Sequence, residues 1–177
     1  MDNFKTQIMD AEALERSIRR ISHEIVEKNR GSENLVLIGI KSRGIPLGEK
    51  ICENIKKIEG AAPPFATVDI HHYRDDIDGE GVSLDTKKPN IPFSVTDKTV
   101  ILVDDVLYTG RTVRAAIEAV FSLGRPRAIQ LAILVDRGHR ELPIRADYIG
   151  KNIPTSKEER VKVCIEPFDE ISGVYLK

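Results

Sequence analysis

Apolar positions along this chain switch between a helical period and short continuous runs, and each switch marks an element. After Asp10, which is placed as an N-cap, Leu14, Ile18, Ile21 and Ile25 recur at helical spacing until Asn29-Arg30-Gly31 supplies a stop, so the pattern predicts an amphipathic helix. Leu35 to Ile40 is a short unbroken apolar run, the mark of a strand buried on both faces. Pro46 then fits the first turn of a helix that carries Leu47, Ile51, Ile55 and Ile58 and ends near Gly60. Phe65 to His71 reads as a strand, with His71 and His72 pointing to opposite faces rather than ligating a metal.

From Tyr73 to Asp97 the chain is rich in Asp, Gly, Lys and Pro without periodicity, which predicts a mobile flap over about residues 73–97. Thr99 to Val103 is a further buried strand, Arg111 to Leu123 a helix closed by Gly124, and Arg127 to Val135 a strand again. Strand, loop and helix in alternation imply right-handed crossovers and a central parallel sheet flanked by helices, an α/β fold. Ala146 to Gly150, Val161 to Ile165 and Gly173 to Leu176 read as strands of a small C-terminal subdomain, a hood over about residues 135–177.

Composition narrows this picture. The chain has 177 residues, 41% hydrophobic and 31% charged, which suits one globular domain spanning 1–177. No apolar run approaches the roughly 20 residues of a membrane span, so no membrane partner is expected and the cytoplasm is the default location. Cys52 and Cys164 lie in apolar-patterned segments and read as buried thiols. A formal net charge of -1 advertises no nucleic-acid partner globally, so any such surface must be local.

The chemistry concentrates in Val100 to Thr112, VILVDDVLYTGRT, where a strand ends in two acids and turns through Thr-Gly into a helix. Backbone N–H groups around Thr109, Gly110, Arg111 and Thr112 form an anion nest at the helix start, reinforced by its dipole. Asp104 and Asp105 are placed to accept from sugar hydroxyls or to coordinate a metal. The implied ligand is a phosphorylated sugar. Lys41-Ser42-Arg43-Gly44, between another strand and helix, offers a second nest with two cations. Gly39 and Gly44 have P-loop spacing, but Ile45-Pro46 replaces the Lys and Ser/Thr that motif requires, and no G-x-G-x-x-G occurs.

Val100 to Thr112 resembles the phosphoribosyl pyrophosphate motif of type I phosphoribosyltransferases at all thirteen positions. With Ile21 to Glu24, Gly39 to Ile45, Tyr73-Arg74-Asp75-Asp76 and the run Leu134 to Ser156, the chain is similar to the bifunctional pyrimidine-operon attenuator and uracil phosphoribosyltransferase family. That resemblance implies a type I phosphoribosyltransferase fold and the reaction of uracil with phosphoribosyl pyrophosphate to give UMP and pyrophosphate, with Mg2+ on the leaving group. It implies that Lys41, Ser42, Arg43 and Gly44 hold pyrophosphate, and that Asp104 and Asp105 hold the ribose hydroxyls, with Arg43 in the catalytic set. Thr109, Gly110, Arg111 and Thr112 then hold the 5′-phosphate, and Val106 and Tyr108 belong to the substrate site. Tyr73 and Arg74 belong to the flap, and Val135 and Arg137 lie near the base. Purine enzymes of the superfamily carry an acid where this chain has Tyr108.

On the first helix Arg16, Arg19, Arg20 and His23 share a stripe opposite the apolar face. In the attenuator family this helix and the tail form a surface for a stem-loop of pyrimidine-operon mRNA, with UMP or UTP as co-regulator and a homodimer joining two such surfaces. Arg20, His23, His139, Arg140, Arg145, Lys151 and Thr155 match, whereas Arg19 stands where well-known members place a threonine. Two alternatives stay open: a regulator whose transferase pocket survives mainly as a nucleotide sensor, and a purine phosphoribosyltransferase without RNA function.

Overall fold

A computed structural model describes residues 6–73 and 89–177. Its centre is a five-stranded sheet in the order β3 (Phe65–Val68), β2 (Leu35–Ile40), β4 (Thr99–Leu107), β5 (Ala128–Asp136), β6 (Tyr148–Asn152), and every neighbouring pair is parallel. The continuous apolar runs resolve into two alternating faces. Leu35, Leu37, Ile101 and Val103 join the core beneath α1 (Ala11–Asn29) and α2 (Gly44–Glu59). Val36, Ile38, Ile40, Val100 and Leu102 join the core on the opposite face beneath α3 (Arg111–Leu123).

Local chemistry sets the helix ends. The Asp10 carboxylate accepts from the Ala13 N–H at 2.7 Å, as an N-cap should, and Leu14, Ile18, Ile21 and Ile25 are fully buried. Gly60 closes α2 with φ 86°, and Cys52 and Cys164 are buried free thiols.

A second sheet covers one side of the first. It is antiparallel, in the order β1 (Thr6–Met9), β8 (Gly173–Leu176), β7 (Val161–Cys164), and it seats Met9, Val163 and Val174 in the α1/α2 core. The hood therefore takes its edge strand from the N-terminus, which the sequence reading left without an element.

Four expectations are corrected. The strand expected in the hood at Ala146 to Gly150 lies at Tyr148–Asn152 and pairs parallel with β5, so it is the edge of the central sheet and not part of the hood. The strand begun at Phe65 ends at Val68, because the Asp69 carboxylate accepts from the His71 N–H at 3.1 Å and turns His71–Tyr73 into a 3-10 helix. The histidines are thus not strand residues. The stretch taken as flap is anchored at its end: Ile91 and Phe93 pack on the α3 core, Val95 is fully buried, and the Asp97 N–H donates to Arg125 O at 3.0 Å. The rest of that stretch, 74–88 with Arg74, Asp75 and Asp76, lies outside the described residues. Finally, β4 runs past the expected end at Val103 to Leu107, so Asp104 and Asp105 lie within the strand, with Asp104 opposite Ile133 of β5.

Backbone presses on backbone where β2 turns into α2. A Cβ on Gly44 would stand 2.4 Å from Val103 O, and one on Gly39 would stand 2.6 Å from Gly44 O. Gly44→Ala is expected to push the start of α2 off β4 and to cost about 1–3 kcal/mol, the range for overpacking, read as a lower midpoint in urea unfolding.

Candidate active site

The carboxyl ends of β2, β3 and β4 open on one cleft, the place where open parallel sheets bind ligands. It consists of two adjoining cavities that share Val106 and Thr112. One, of about 370 Å³, is formed by Val106 to Val113 together with Glu141. The other, of about 260 Å³, lies between Lys41-Ser42-Arg43 and the Asp104-Asp105 pair, with Asp69 and His71 at its edge. Two loops separated by some sixty positions in sequence, each with the makings of an anion nest, thus meet around the acids.

The first cavity is built on a helix start. Gly110 adopts φ 95° and precedes α3, a conformation that side-chain-bearing residues rarely take, and the Arg111 N–H donates to the Thr109 hydroxyl oxygen at 3.3 Å. N–H groups of the first turn of α3 have no intrahelical acceptors and favour an anion. The Arg111 Nε is tied to Glu141 at 2.7 Å. Glu141 and Leu142 also donate their backbone N–H groups to Thr109 O, at 3.0 and 3.2 Å.

In the second cavity Lys41 and Ser42 are exposed and joined by a cis peptide bond, and Lys41 Nζ lies 3.3 Å from Asp69. Asp104 is buried, while Asp105 keeps part of its surface open to the cleft. The Asp104 carboxylate accepts from the Asp105 N–H and the Asp105 carboxylate from the Val106 N–H, both at 2.9 Å. Burial pushes the Asp104 carboxyl well above the usual carboxylate range, and the charge on Asp105 pushes the same way. Burial also raises Asp105, against the pull of its hydrogen bonds and of the Arg43 guanidinium. Among the described residues no group of three or more His, Cys, Asp or Glu could hold a metal ion. The acidic pair suits Mg2+ only where a phosphorylated ligand and water complete its six positions.

Other expected residues fall around this cleft in different ways. Tyr73 packs on α3, with its hydroxyl 3.3 Å from the Ser122 hydroxyl. Val135 is buried in the core, so only its backbone can face a ligand. Arg137 is buried, with its guanidinium carbon 4.1 Å from the Tyr108 ring centroid and Nε donating to the Thr155 hydroxyl at 3.1 Å. The His139 ring contacts Thr155 O at 2.5 Å. Arg140 reaches inward: it donates to Tyr108 O and Ile144 O, both at 2.9 Å, and pairs with Asp136. Its guanidinium braces the phosphate loop from behind. Arg19, His23, Arg145 and Lys151 are exposed. Arg20 donates to Gly150 O at 2.6 Å, which ties α1 to β6.

Asp69, Glu141 and Asp169 at this site were not anticipated. Asp69 closes an apolar run and was absorbed into the strand reading, and nothing local in the sequence marks the other two.

The raised Asp104 carboxyl gives a stability test. A folded-state value above the unfolded one makes the Asp104 contribution to stability full at pH below the ordinary carboxylate range and lost as pH climbs through the raised folded-state value. Asp104→Asn keeps the carbonyl acceptor without the buried charge. Its melting temperature is expected to exceed that of the wild type at about pH 8, with the gap narrowing on acidification towards about pH 4, as followed by thermal unfolding across pH.

The comparisons with known proteins agree with this geometry. Residues 5–167 match the phosphoribosyl transferase domain. A protein of Clostridioides difficile named bifunctional protein PyrR is 54% identical over 173 residues, 98% of this chain and 98% of its own length. One of Oceanobacillus iheyensis with the same name is 56% identical over 174 residues, 97% of each. Among solved structures, a hypoxanthine phosphoribosyltransferase of Trypanosoma cruzi in complex with IMP superposes with a TM-score of 0.74 at 16% identity, covering 99% of this chain and 91% of that one. A hypoxanthine-guanine phosphoribosyltransferase of Bacillus anthracis gives 0.71 at 18% identity, with 97% and 96% covered, and at such identities the likeness concerns the fold. By domain, by near-full-length identity and by fold, this chain belongs to the phosphoribosyltransferase family, in the branch whose members are named bifunctional protein PyrR.

Proposed function

We propose that the chain transfers a phosphoribosyl group from phosphoribosyl pyrophosphate to uracil, giving UMP and pyrophosphate, and that it also binds pyrimidine-operon mRNA under control of uridine nucleotides. The observation that carries the transferase reading is the meeting of two anion-binding loops on either side of a buried acidic pair. A ligand with phosphate at both ends of a ribose needs that arrangement. The 5′-phosphate sits on the start of α3, from Thr109 to Thr112. The ribose hydroxyls donate to Asp104 and Asp105, and the pyrophosphate lies against Lys41, Ser42, Arg43 and the Gly44 N–H.

Pyrophosphate leaves the anomeric carbon while positive charge develops on the ribose ring, so alignment and charge compensation carry the catalysis. Asp104 and Asp105, immobilised by their neighbours' N–H groups, fix the ring and place negative charge beneath it. Lys41 and Arg43 stabilise the charge that grows on the leaving group. Bound Mg2+ would supply further neutralisation of the pyrophosphate. The base reading rests on Tyr108, which puts an aromatic ring under the Arg137 guanidinium where purine enzymes carry an acid.

The RNA reading draws support from surface continuity. The Arg20 bonds to Ile149 O and Gly150 O join α1 to the strand that carries Lys151, and Arg19, His23, Arg145 and Lys151 are exposed, which supports reading them as one basic face. Cations there would contact phosphates, while unstacked bases would confer choice of sequence. Arg140, His139 and Thr155 would help shape that face from within, since each bonds to the protein: Arg140 to Tyr108 O, the His139 ring to Thr155 O, and the Thr155 hydroxyl to Arg137 O.

Magnesium-dependent UMP formation is expected with uracil and not with hypoxanthine or guanine, and Asp105→Asn is expected to lower kcat/KM for phosphoribosyl pyrophosphate at least a hundredfold, on the order of one lost charged hydrogen-bond pair in a transition state. Turnover of a purine base would replace the uracil reading, and unchanged rates in the variant would remove Asp105 from the site. For RNA, Lys151→Ala is expected to weaken leader binding in filter titrations and to lower the salt slope by about 1, with UMP formation intact. An unaltered slope would take Lys151 off the RNA surface.

A further inference from the structure

Arg43 is held from a direction that its own loop does not supply. It caps α2 without a side-chain hydrogen bond to that helix. Instead its Nη2 donates to Asp169 Oδ1 at 3.0 Å, and its guanidinium carbon lies 5.6 Å from the centroid of the Phe168 ring. Both partners belong to the connection between β7 and β8 in the hood. Asp169 is itself fixed, for its second carboxylate oxygen accepts from the Ile165 N–H at 2.9 Å and its own N–H donates to Ile165 O at 2.9 Å. The carboxylate is only 16% exposed, and the Arg43 side chain 27%.

The arrangement leaves part of the guanidinium unspent. Arg43 Nε is buried and has no hydrogen-bond partner among the described residues, while Arg43 also borders the cavity opposite Asp105. An arginine has five donors in a rigid plane, and fixing one edge on a carboxylate and one face on an aromatic ring sets the direction of the remainder. An isolated arginine on a loop of exposed residues would lose rotamer freedom each time it met an anion. Here that loss has already been met by the hood. Lys41, by comparison, is exposed and paired with Asp69 on the far edge of the cleft.

We propose that Asp169 is a positioning residue for the diphosphate: with Phe168 it holds the Arg43 guanidinium at the edge of the cleft, oriented to receive the pyrophosphate end of the substrate. This rests on the phosphoribosyl pyrophosphate reading of the cleft and adds the hood to it. The β7–β8 connection acts on the reaction through Arg43 and has no contact of its own with the reacting atoms.

Asp169→Asn isolates the idea, because its amide oxygen can still accept from the Ile165 N–H while its NH2 group then faces Arg43 and cannot accept. The measurement is binding of phosphoribosyl pyrophosphate with Mg2+, and separately of pyrophosphate with Mg2+, by calorimetry on the full chain, with UMP binding and the melting temperature as controls. The variant is expected to weaken both diphosphate ligands roughly five- to tenfold, the effect of misdirecting one charge-assisted contact, and to leave UMP binding within about twofold. In an Arg43→Ala background, Asp169→Asn is expected to have no further effect on diphosphate affinity. Equal weakening of UMP, a full effect that persists without Arg43, or tighter diphosphate binding from a released Arg43 would each overturn the proposal. Wild-type chain that binds UMP but neither diphosphate would overturn the cleft reading together with it, whereas wild-type diphosphate binding matched by Asp169→Asn overturns the positioning role alone.

Discussion

Two carboxyl groups embedded at the end of a strand buried on both faces are the constraint around which this molecule is built. Asp104 and Asp105 continue β4, whose earlier residues are fully buried, so the acids inherit the rigidity of the sheet and also its poor solvation. Burial of that kind works against the charged form. The compensation is local: successive backbone N–H groups point at the carboxylates, and the Arg43 charge is close to Asp105. A loop could carry the same residues at less cost, but without fixing where a sugar ring sits.

The surrounding loops are set by how closely backbone approaches backbone. Gly39 and Gly44 let the β2–α2 turn lie directly on the end of β4, and Gly110 lets β4 turn abruptly into α3. The phosphate loop is then fastened from behind by the segment that follows β5. Glu141, Leu142 and Arg140 all bond to carbonyl oxygens of Tyr108 or Thr109, and Arg137 stacks on the Tyr108 ring. That same segment leads on to the exposed Arg145 and Lys151. The phosphate site and the proposed RNA surface are therefore neighbours through a short, heavily bonded stretch of chain, in which Arg140 bonds to Tyr108 O and Ile144 O.

The hood closes the arrangement from the other side. Its three strands come from both ends of the chain, β1 pairing with β8, so the first and last described elements are one structure. Through Asp169 and Phe168 it reaches the residue of the β2–α2 loop that faces the acids.

How much of this could be read from the amino acids alone follows from the range of the forces involved. The helices, the buried strands and the parallel sheet were legible because periodicity and apolar runs report burial of each element's own face. The motif from Val100 to Thr112 was legible because strand, acids, Thr-Gly turn and helix start are contiguous, and its chemistry is a local property of backbone and dipole. Where local chemistry competed with pattern, the reading overran: Asp69 ends β3 by capping a turn that an apolar count does not register. The strand at Thr6–Met9 was invisible because a short edge strand exists only through its partner, β8. The inward bonds of Arg140 to Tyr108 O and Ile144 O left no mark in the sequence, since charge says nothing of direction. Asp169, 126 residues from Arg43, had no signal at all, because a pairing between distant side chains becomes a fact only when the fold brings the two ends of the chain together.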